Sequence, residues 1–426
     1  MVIGAGIAGL AAAWTLRSQQ VSVLEAGDSV GGRMRSELIN GYPMETGAQF
    51  LGSGYTVVPR LAAAVGLATS PIRAGAAVFQ GGAMRRFRSD RPLSQFTGGL
   101  LPWPAAPRAA AGLIKAAAAG RGRATSDLTC WTDLDTEPAR EWAERVLGPD
   151  VTDRVLIPTV SGFYFQSLDQ SSAALPAAVC AFAARPGPAL TIRGGLGRLT
   201  RSLAAEVDVR INTTVTSVRR DGARAVVTTT DGEEVADRVI LAVPASAARA
   251  ILHDPTDLQR RLTATPYSRG LLVGVPLSAA LRPHQLAGAY GILVHPGEEN
   301  PVAAVAVASR AHPAAADRDL LTVMLNQHAA DALRAADDAT VVKAALAGLR
   351  RLDPTVEPLL PPDTDTARVV RHQEAMPTVP TGHAAAVVAY RDRPRADPIA
   401  LAGDYLGFPW TDSAAATGVW AGRRLR

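Results

Sequence analysis

Residues 2–36, VIGAGIAGLAAAWTLRSQQVSVLEAGDSVGGRMRS, restrict the fold more than any other stretch of the chain. Positions 1–3 read as the end of a buried strand, and 7–18 as a helix with apolar residues on one side. Between them stands Gly4-Ala5-Gly6-Ile7-Ala8-Gly9. In such a turn Gly4 permits the sharp change of direction, Gly6 lets a diphosphate approach the backbone, and Gly9 lets helix and strand pack closely. The helix N-terminus, at Ile7 and Ala8, offers free N–H groups and a partial positive charge to phosphate. Val21-Ser22-Val23-Leu24 reads as a second strand closed by Glu25, placed 21 residues after Gly4, where a carboxylate can accept both hydroxyls of an adenosine ribose. The alternative is a βαβ unit that holds no ligand. Only three residues precede Gly4, fewer than the roughly five or six of a full strand. Either the start is assigned late or upstream residues are missing.

The chain has 426 residues, too many for one core, so two domains are expected. Its 47% hydrophobic and 19% charged composition is that of a globular protein. The net charge of +5 comes almost wholly from arginine, Lys115 and Lys343 being the only lysines. With no long basic run and no basic–aromatic alternation, nucleic-acid binding is not expected. Two cysteines, Cys130 and Cys180, exclude a disulfide framework and a CxxC metal site, and seven scattered histidines with no HxxxH spacing give no metal site. The longest uncharged apolar stretches, such as 271–281, fall short of the roughly 18–20 residues that span a bilayer. No basic leader precedes an apolar core, so a cytoplasmic protein without an integral membrane segment is expected.

Val30-Gly31-Gly32-Arg33 follows Glu25 closely. A nicotinamide dinucleotide has no use for a second glycine pair and an arginine there; a longer cofactor whose diphosphate and ribityl chain run onward does. At this point the sequence resembles the flavin-containing amine oxidase superfamily, which includes monoamine and polyamine oxidases, protoporphyrinogen oxidases and carotenoid desaturases. Glu25-Ala26 through Gly31-Gly32-Arg33 match its E-A-x-x-x-x-G-G-R signature. Tyr42-Pro43-Met44-Glu45-Thr46-Gly47-Ala48-Gln49 resembles the segment that lays its backbone along the isoalloxazine ring. Gly194 to Leu199 resembles the re-entry into the FAD domain, and a valine near Val215 contacts the adenine in the family. Gly403-Asp404 resembles the acid that binds the ribityl chain. Trp410-Thr411-Asp412-Ser413 then opens a helix through 421, with Thr411 or Asp412 as N-cap; Thr411 and Ser413 at its start would face the flavin N1–C2 edge, where a helix N-terminus favours the charge of the reduced ring.

The resemblance implies an α/β fold. A discontinuous, Rossmann-like FAD-binding domain of the GR2 type would comprise 1–55, 190–250 and 385–426, with a mixed α+β substrate domain over 56–189 and 251–384. The first substrate piece reads as mostly helical. The second reads as strands 270–277, 302–309 and 320–325, then helices 329–335 and 339–352. Strands 207–211 and 213–218, hairpin turns at Asp221-Gly222 and Asp231-Gly232, and a buried strand 239–243 complete the reading. "AAAAGRGRATSD" at 116–127 is the expected mobile loop.

The implied chemistry is hydride abstraction by non-covalently bound FAD, with dioxygen as electron acceptor. A C–N bond of a small-molecule amine or amide, oxidised to an imine or iminium in a natural-product tailoring step, is the favoured reading. A protoporphyrinogen-oxidase or desaturase-like C–C dehydrogenation is the alternative: family amine oxidases carry a lysine on a substrate-domain strand, and residues 267–277 hold none, while Arg371-His372 and Gly403-Asp404-Tyr405-Leu406 look like the porphyrinogen pattern. A flavin-free binding module, as in GDP-dissociation inhibitors, is the alternative of another class. Glu45 is the candidate base, or else it pairs with an arginine and holds its loop. Tyr164 could orient a carbonyl or amine, or pack in the core. Arg310 could hold an anionic or carbonyl group, or be solvated. Trp410 could pack over the ring or only cap its helix, and His383 is a base or a structural histidine. A homodimer is possible in the family's terms.

Overall fold

A computed structural model describes all residues except 89, 90, 92, 184–186, 314–316 and 395. Two large sheets organise it. The first is a five-stranded parallel sheet in the order Ile399–Leu401, Val239–Leu241, Val2–Ile3, Ser22–Leu24, Asp208–Arg210. Its apolar runs are short and nearly all buried, as a parallel sheet covered on both faces requires. Register pairs Val2 with Ile240 on one side and with Val23 on the other, so the first strand of the chain lies at the centre. Helices Ile7–Thr15 and Thr411–Arg424 lie against each other; a Cβ on Gly418 would stand 2.0 Å from the Ala8 carbonyl oxygen, so only glycine allows that approach. Every strand of this sheet comes from residues 1–55, 190–250 or 385–426.

The second sheet has seven strands: Arg368–Pro377, Tyr267–Pro276, Leu320–Leu325, Val302–Val307, Gly291–Val294, Ala76–Gln80 and Ala83–Phe87. Neighbours pair antiparallel except Gly291–Val294 with Ala76–Gln80. Residues 56–189 are mostly helical, as expected, but they also lend two strands to this sheet. Gln80-Gly81-Gly82-Ala83 joins them in a two-residue turn with both glycines at positive φ (61° and 69°), the hairpin geometry that matches strand twist. The helix Asp338–Leu352 packs its apolar side on this sheet.

A three-stranded antiparallel meander, Val215–Asp221, Arg224–Thr229 and Gly232–Ala236, branches from the parallel sheet. The two Asp-Gly pairs fall at its hairpins, with loops of residues 222–223 and 230–231. The predicted helix 7–18 stops at Thr15, where the chain turns and the Gln19 N–H donates to the Leu16 carbonyl.

Candidate active site

The three opening glycines separate by what holds them. Gly4 has φ +99° and a Cβ there would meet the Ala242 carbonyl oxygen at 2.7 Å; on Gly9 it would meet the Gly4 oxygen at 1.9 Å. Both are demanded by internal packing. Gly6 is not: its φ of −74° suits any residue, and a Cβ would find nothing within 4 Å. A side chain is excluded there by nothing in the protein, so the open cradle fits a group that must approach the backbone. Gly6 bridges to Gly31 as a parallel pair, and the Gly31 N–H donates to the Ala5 carbonyl (2.9 Å). The two glycine motifs, 25 residues apart, thus form one wall. No side chain caps the helix above Gly6, leaving the N–H groups of its first turn, at Ile7 and Ala8, directed past it.

Glu25 closes the second strand and accepts from Ala5 N–H at 2.7 Å and Gly27 N–H at 2.9 Å, with Ala26 exposed between. Thr213 N–H donates to the Glu25 carbonyl, which brings the start of the meander at Val215 beside this segment. Gly32, at φ +52°, leads into Arg33. The Arg33 guanidinium spans the molecule: it contacts Asp404 at 2.7 and 3.1 Å, donates to the Ala375 carbonyl at 2.6 Å and lies over the Tyr267 ring. Burial pulls its pKa down, but Asp404 and the Tyr267 hydroxyl outweigh that and hold it above its ordinary value. Tyr267 donates its hydroxyl to Asp404 as well (3.1 Å). Gly403 before that acid adopts φ +146°, against the Tyr405 ring.

Thr46-Gly47-Ala48-Gln49 lies along Arg33: Ala48 N–H donates to the Arg33 carbonyl, and a Cβ on Gly47 would sit 2.2 Å from it. His372 Nε2–H donates to the Thr46 carbonyl (2.6 Å), and burial lowers the pKa of this imidazole. The Gln49 amide folds back on the Glu45 and Gly47 carbonyls, and its own carbonyl accepts from the Tyr290 hydroxyl. Glu45 is buried. Its oxygens accept from the Ser36 hydroxyl (2.7 Å) and the Leu196 N–H (2.8 Å), and burial raises its pKa to about 8 despite both bonds. It ties the loop to the segment at 196 and presents no free oxygen as the expected base.

Helix Thr411–Arg424 begins without a side-chain cap. The expected cap by Thr411 or Asp412 is corrected: the buried Asp412 carboxylate accepts from the N–H groups of Thr56, Val57 and Val58, and so caps the neighbouring helix Val57–Ala64. Ser413 Oγ accepts from Phe408 N–H and donates to the Ser126 carbonyl, and Trp410 Nε1–H donates to the Thr125 carbonyl (3.0 Å). Residues 116–127 are therefore not the loose loop expected. Helix Ala106–Ala119 takes up the alanines, and Thr125 and Ser126 are buried and fixed to the start of the C-terminal helix.

Aromatic rings run in an unbroken line from the seven-stranded sheet to that helix. Tyr290 meets Phe50 at 6.4 Å, Phe50 meets Phe163 at 5.1 Å, Phe163 meets Tyr164 at 6.4 Å, and Tyr164 meets Trp410 at 5.8 Å. Trp410 stacks on Phe408 at 4.5 Å. Tyr164 is thus brought to the start of the C-terminal helix, at the end of helix Ile157–Tyr164, and its hydroxyl makes no hydrogen bond with the described residues. Phe50, Phe163 and Tyr290 were not singled out by sequence reasoning; the position of Phe50 next to Gln49 was the available signal. Arg310 is elsewhere. Its guanidinium donates to the carbonyls of Ala289 (2.6 Å) and Gln285 (2.8 Å), which a left-handed kink at Leu286 and Ala287 turns outward, so its expected role on substrate is corrected. His383 donates Nε2–H to the Tyr405 carbonyl and is a buried structural histidine.

A family profile described as flavin-containing amine oxidoreductase matches residues 7–424. A protein assigned as a flavin-containing monoamine oxidase in Mycobacterium tuberculosis is 31% identical over 275 residues, which is 60% of this chain and 59% of that protein. The match therefore spans less than two thirds of that relative's length. The coproporphyrinogen III oxidase of Mycobacterium bovis is 29% identical over 453 aligned positions, covering 95% of this chain and 92% of that one. Among solved structures, putrescine oxidase with putrescine bound superposes with a TM-score of 0.76 at 21% identity, covering 99% of this chain and 97% of that one, a likeness of fold.

Proposed function

The chain belongs to the flavin-containing amine oxidoreductase family, and on that premise we propose that it is an FAD-dependent oxidase that takes a hydride from a C–N bond of a small neutral amine or amide, giving an imine or iminium. The observation that carries this reading is the line of rings from Tyr290 to Trp410, an uncharged aromatic wall beside the Gly47–Gln49 backbone. Such a wall receives an apolar substrate stripped of water, and desolvation there favours the uncharged amine whose lone pair the oxidation needs. Bound FAD supplies a two-electron acceptor that passes its electrons to dioxygen. Gly6, Gly31 and the N–H groups at Ile7 and Ala8 would hold its diphosphate, Glu25 its ribose, Arg33 and Asp404 its ribityl chain, and the backbone at Gly47, Ala48 and Gln49 its ring. The first turn of the C-terminal helix, at Thr411 and Ser413, would offer its positive end to the ring. Tyr164 orients the substrate through its hydroxyl, and Glu45 is a positioning residue. Binding is non-covalent: Cys180 is buried in helix Ala174–Ala183, and exposed Cys130 lies in the segment Leu128–Trp131.

The setting proposed is a cytoplasmic natural-product tailoring step, with residues 1–55, 190–250 and 385–426 serving the cofactor and 56–189 and 251–384 the substrate. Anaerobic mixing with a panel of neutral amines should bleach the visible flavin absorbance within the dead time of turnover. Bleaching by a porphyrinogen alone would replace this reading with C–C dehydrogenation. That second reading is favoured by two observations: strand Tyr267–Pro276 carries no lysine and packs Leu272 into the cluster that holds Tyr290, Phe50 and Phe163, and a relative covering 95% of this chain is a coproporphyrinogen III oxidase.

A further inference from the structure

The outer face of helix Ala106–Ala119 is built against the usual rule. A surface helix buries an apolar stripe and shows polar residues to water. Here the inward stripe is Ala109, Gly112 and Ala116, small enough that a Cβ on Gly112 would lie 2.6 Å from the Val146 carbonyl oxygen. The outward positions Pro107, Ala111, Ile114 and Ala118, spaced by three or four, are all exposed and all apolar. Ile114 is 69% exposed, and Trp103, just before the helix, is 60% exposed with its ring against Phe96. Isolated exposed apolar residues are ordinary, but a contiguous face of them is not.

The charge on this segment has one sign. Residues 93–126 contain Arg108, Lys115, Arg121 and Arg123 and no aspartate or glutamate. Arg123 is paired with Asp133. Lys115 and Arg121 are exposed and make no ion pair among the described residues. Lys115 sits along one flank of the apolar face, where its ammonium can reach outward while its stem covers the helix.

We propose that this face docks peripherally on an anionic lipid surface, with Trp103 and Ile114 entering the headgroup boundary and Lys115 and Arg121 meeting the lipid phosphates. An apolar face flanked by cations is the chemistry of an interfacial helix, and an indole prefers the boundary between apolar and wet regions. A protein partner fits less well, since protein interfaces are depleted in alanine, the residue that dominates here. No helix among the described residues is long and apolar enough to cross a membrane, so the contact is a surface one. It also lies one short connection from the site: the same segment continues to Thr125 and Ser126, which grip Trp410 and Ser413.

The test is co-sedimentation of the flavin-loaded protein with vesicles of phosphatidylcholine alone and of phosphatidylcholine with phosphatidylglycerol. Binding is expected only to the anionic vesicles, reduced at least tenfold by the Trp103→Ser/Ile114→Ser pair and by Lys115→Glu/Arg121→Glu, and weakened by salt. Unchanged circular dichroism and flavin content show that the variants are folded. Absence of binding, or binding that both pairs leave intact, overturns the proposal. So does a self-association in sedimentation velocity that Trp103→Ser/Ile114→Ser abolishes while vesicles bind nothing, which would make the face a contact between copies.

Discussion

Arg33 and Asp404 stand 371 positions apart in the sequence and meet through a 2.7 Å ion pair. Asp404 is nearly buried and Arg33 partly so, which places the pair between a surface bridge of little worth and a fully desolvated one that is costly to break. Asp404→Asn removes the charge and leaves the guanidinium with the Ala375 carbonyl and the Tyr267 ring. The expected loss is about 2 kcal/mol of stability, together with weaker flavin retention. Urea melts and the flavin-to-protein absorbance ratio measure the two effects; an unaltered ratio would remove Asp404 from the cofactor site.

Gly6→Ala and Gly9→Ala should fail in different ways. At Gly6 the backbone is ordinary and the space open, so the fold should melt within about 1 kcal/mol of wild type, while the methyl group occupies the place assigned to phosphate. At Gly9 the methyl would collide with the Gly4 carbonyl, and the fold itself should suffer by several kcal/mol on the order of other overpacked core positions. Flavin content and thermal melts separate them. A Gly6→Ala protein that binds flavin like wild type contradicts the cradle.

Glu45 should make stability fall with pH. Its pKa in the fold is about 8 against an ordinary 4.5, with burial the main cause, so the native state keeps a proton that the unfolded chain releases in that window. The stabilisation is complete below the lower value and is lost as pH rises through the higher. Glu45→Gln cannot titrate, and it can still accept from Leu196. Its stability relative to wild type should therefore climb, by a few kcal/mol at most, between about pH 5 and about pH 9. Urea midpoints across that range test it, and parallel curves for the two proteins would refute it.

Trp410→Phe should free the connection that the indole now holds. The substitution keeps the stack on Phe408 but deletes the hydrogen bond to Thr125, worth about 1 kcal/mol. Limited trypsin digestion should then cut after Arg121 several-fold faster, with the site after Arg17 as internal control. Equal rates would mean that the backbone near Thr125 is held by other contacts.

Much of the framework was legible because its signals are local. A short apolar run ended by proline marked the buried strand at 239–241, and the strand at 320–325 was read to the residue. The glycine fingerprint and the acid after the second strand located one end of the site. What escaped depends on partners far along the chain. Ala76–Gln80 and Ala83–Phe87 look helical by composition, and only the Gly81-Gly82 pair betrays their hairpin. Residues 120–126 have the make-up of a flexible loop, yet two carbonyls fix them to a tryptophan and a serine that come almost three hundred positions later. Asp412 stands where a helix start wants an acid, but it serves a different helix. Arg310 followed an apolar strand as a site arginine would; nothing near it in sequence announced the kink whose carbonyls consume it.

The close approach of Gly418 to Ala8 has a consequence for biosynthesis. The helix Ile7–Thr15 rests on one that is translated much later, and the sheet that holds Val2–Ile3 is complete only when 399–401 joins it beside 239–241. Vectorial folding of the βαβ unit around Gly6 is thereby denied its closing surface until residues 411–424 have been made. Nascent chains that stop short of helix Thr411–Arg424 should stay protease-sensitive and exposed to chaperones in this unit, which acquires resistance once that helix has emerged.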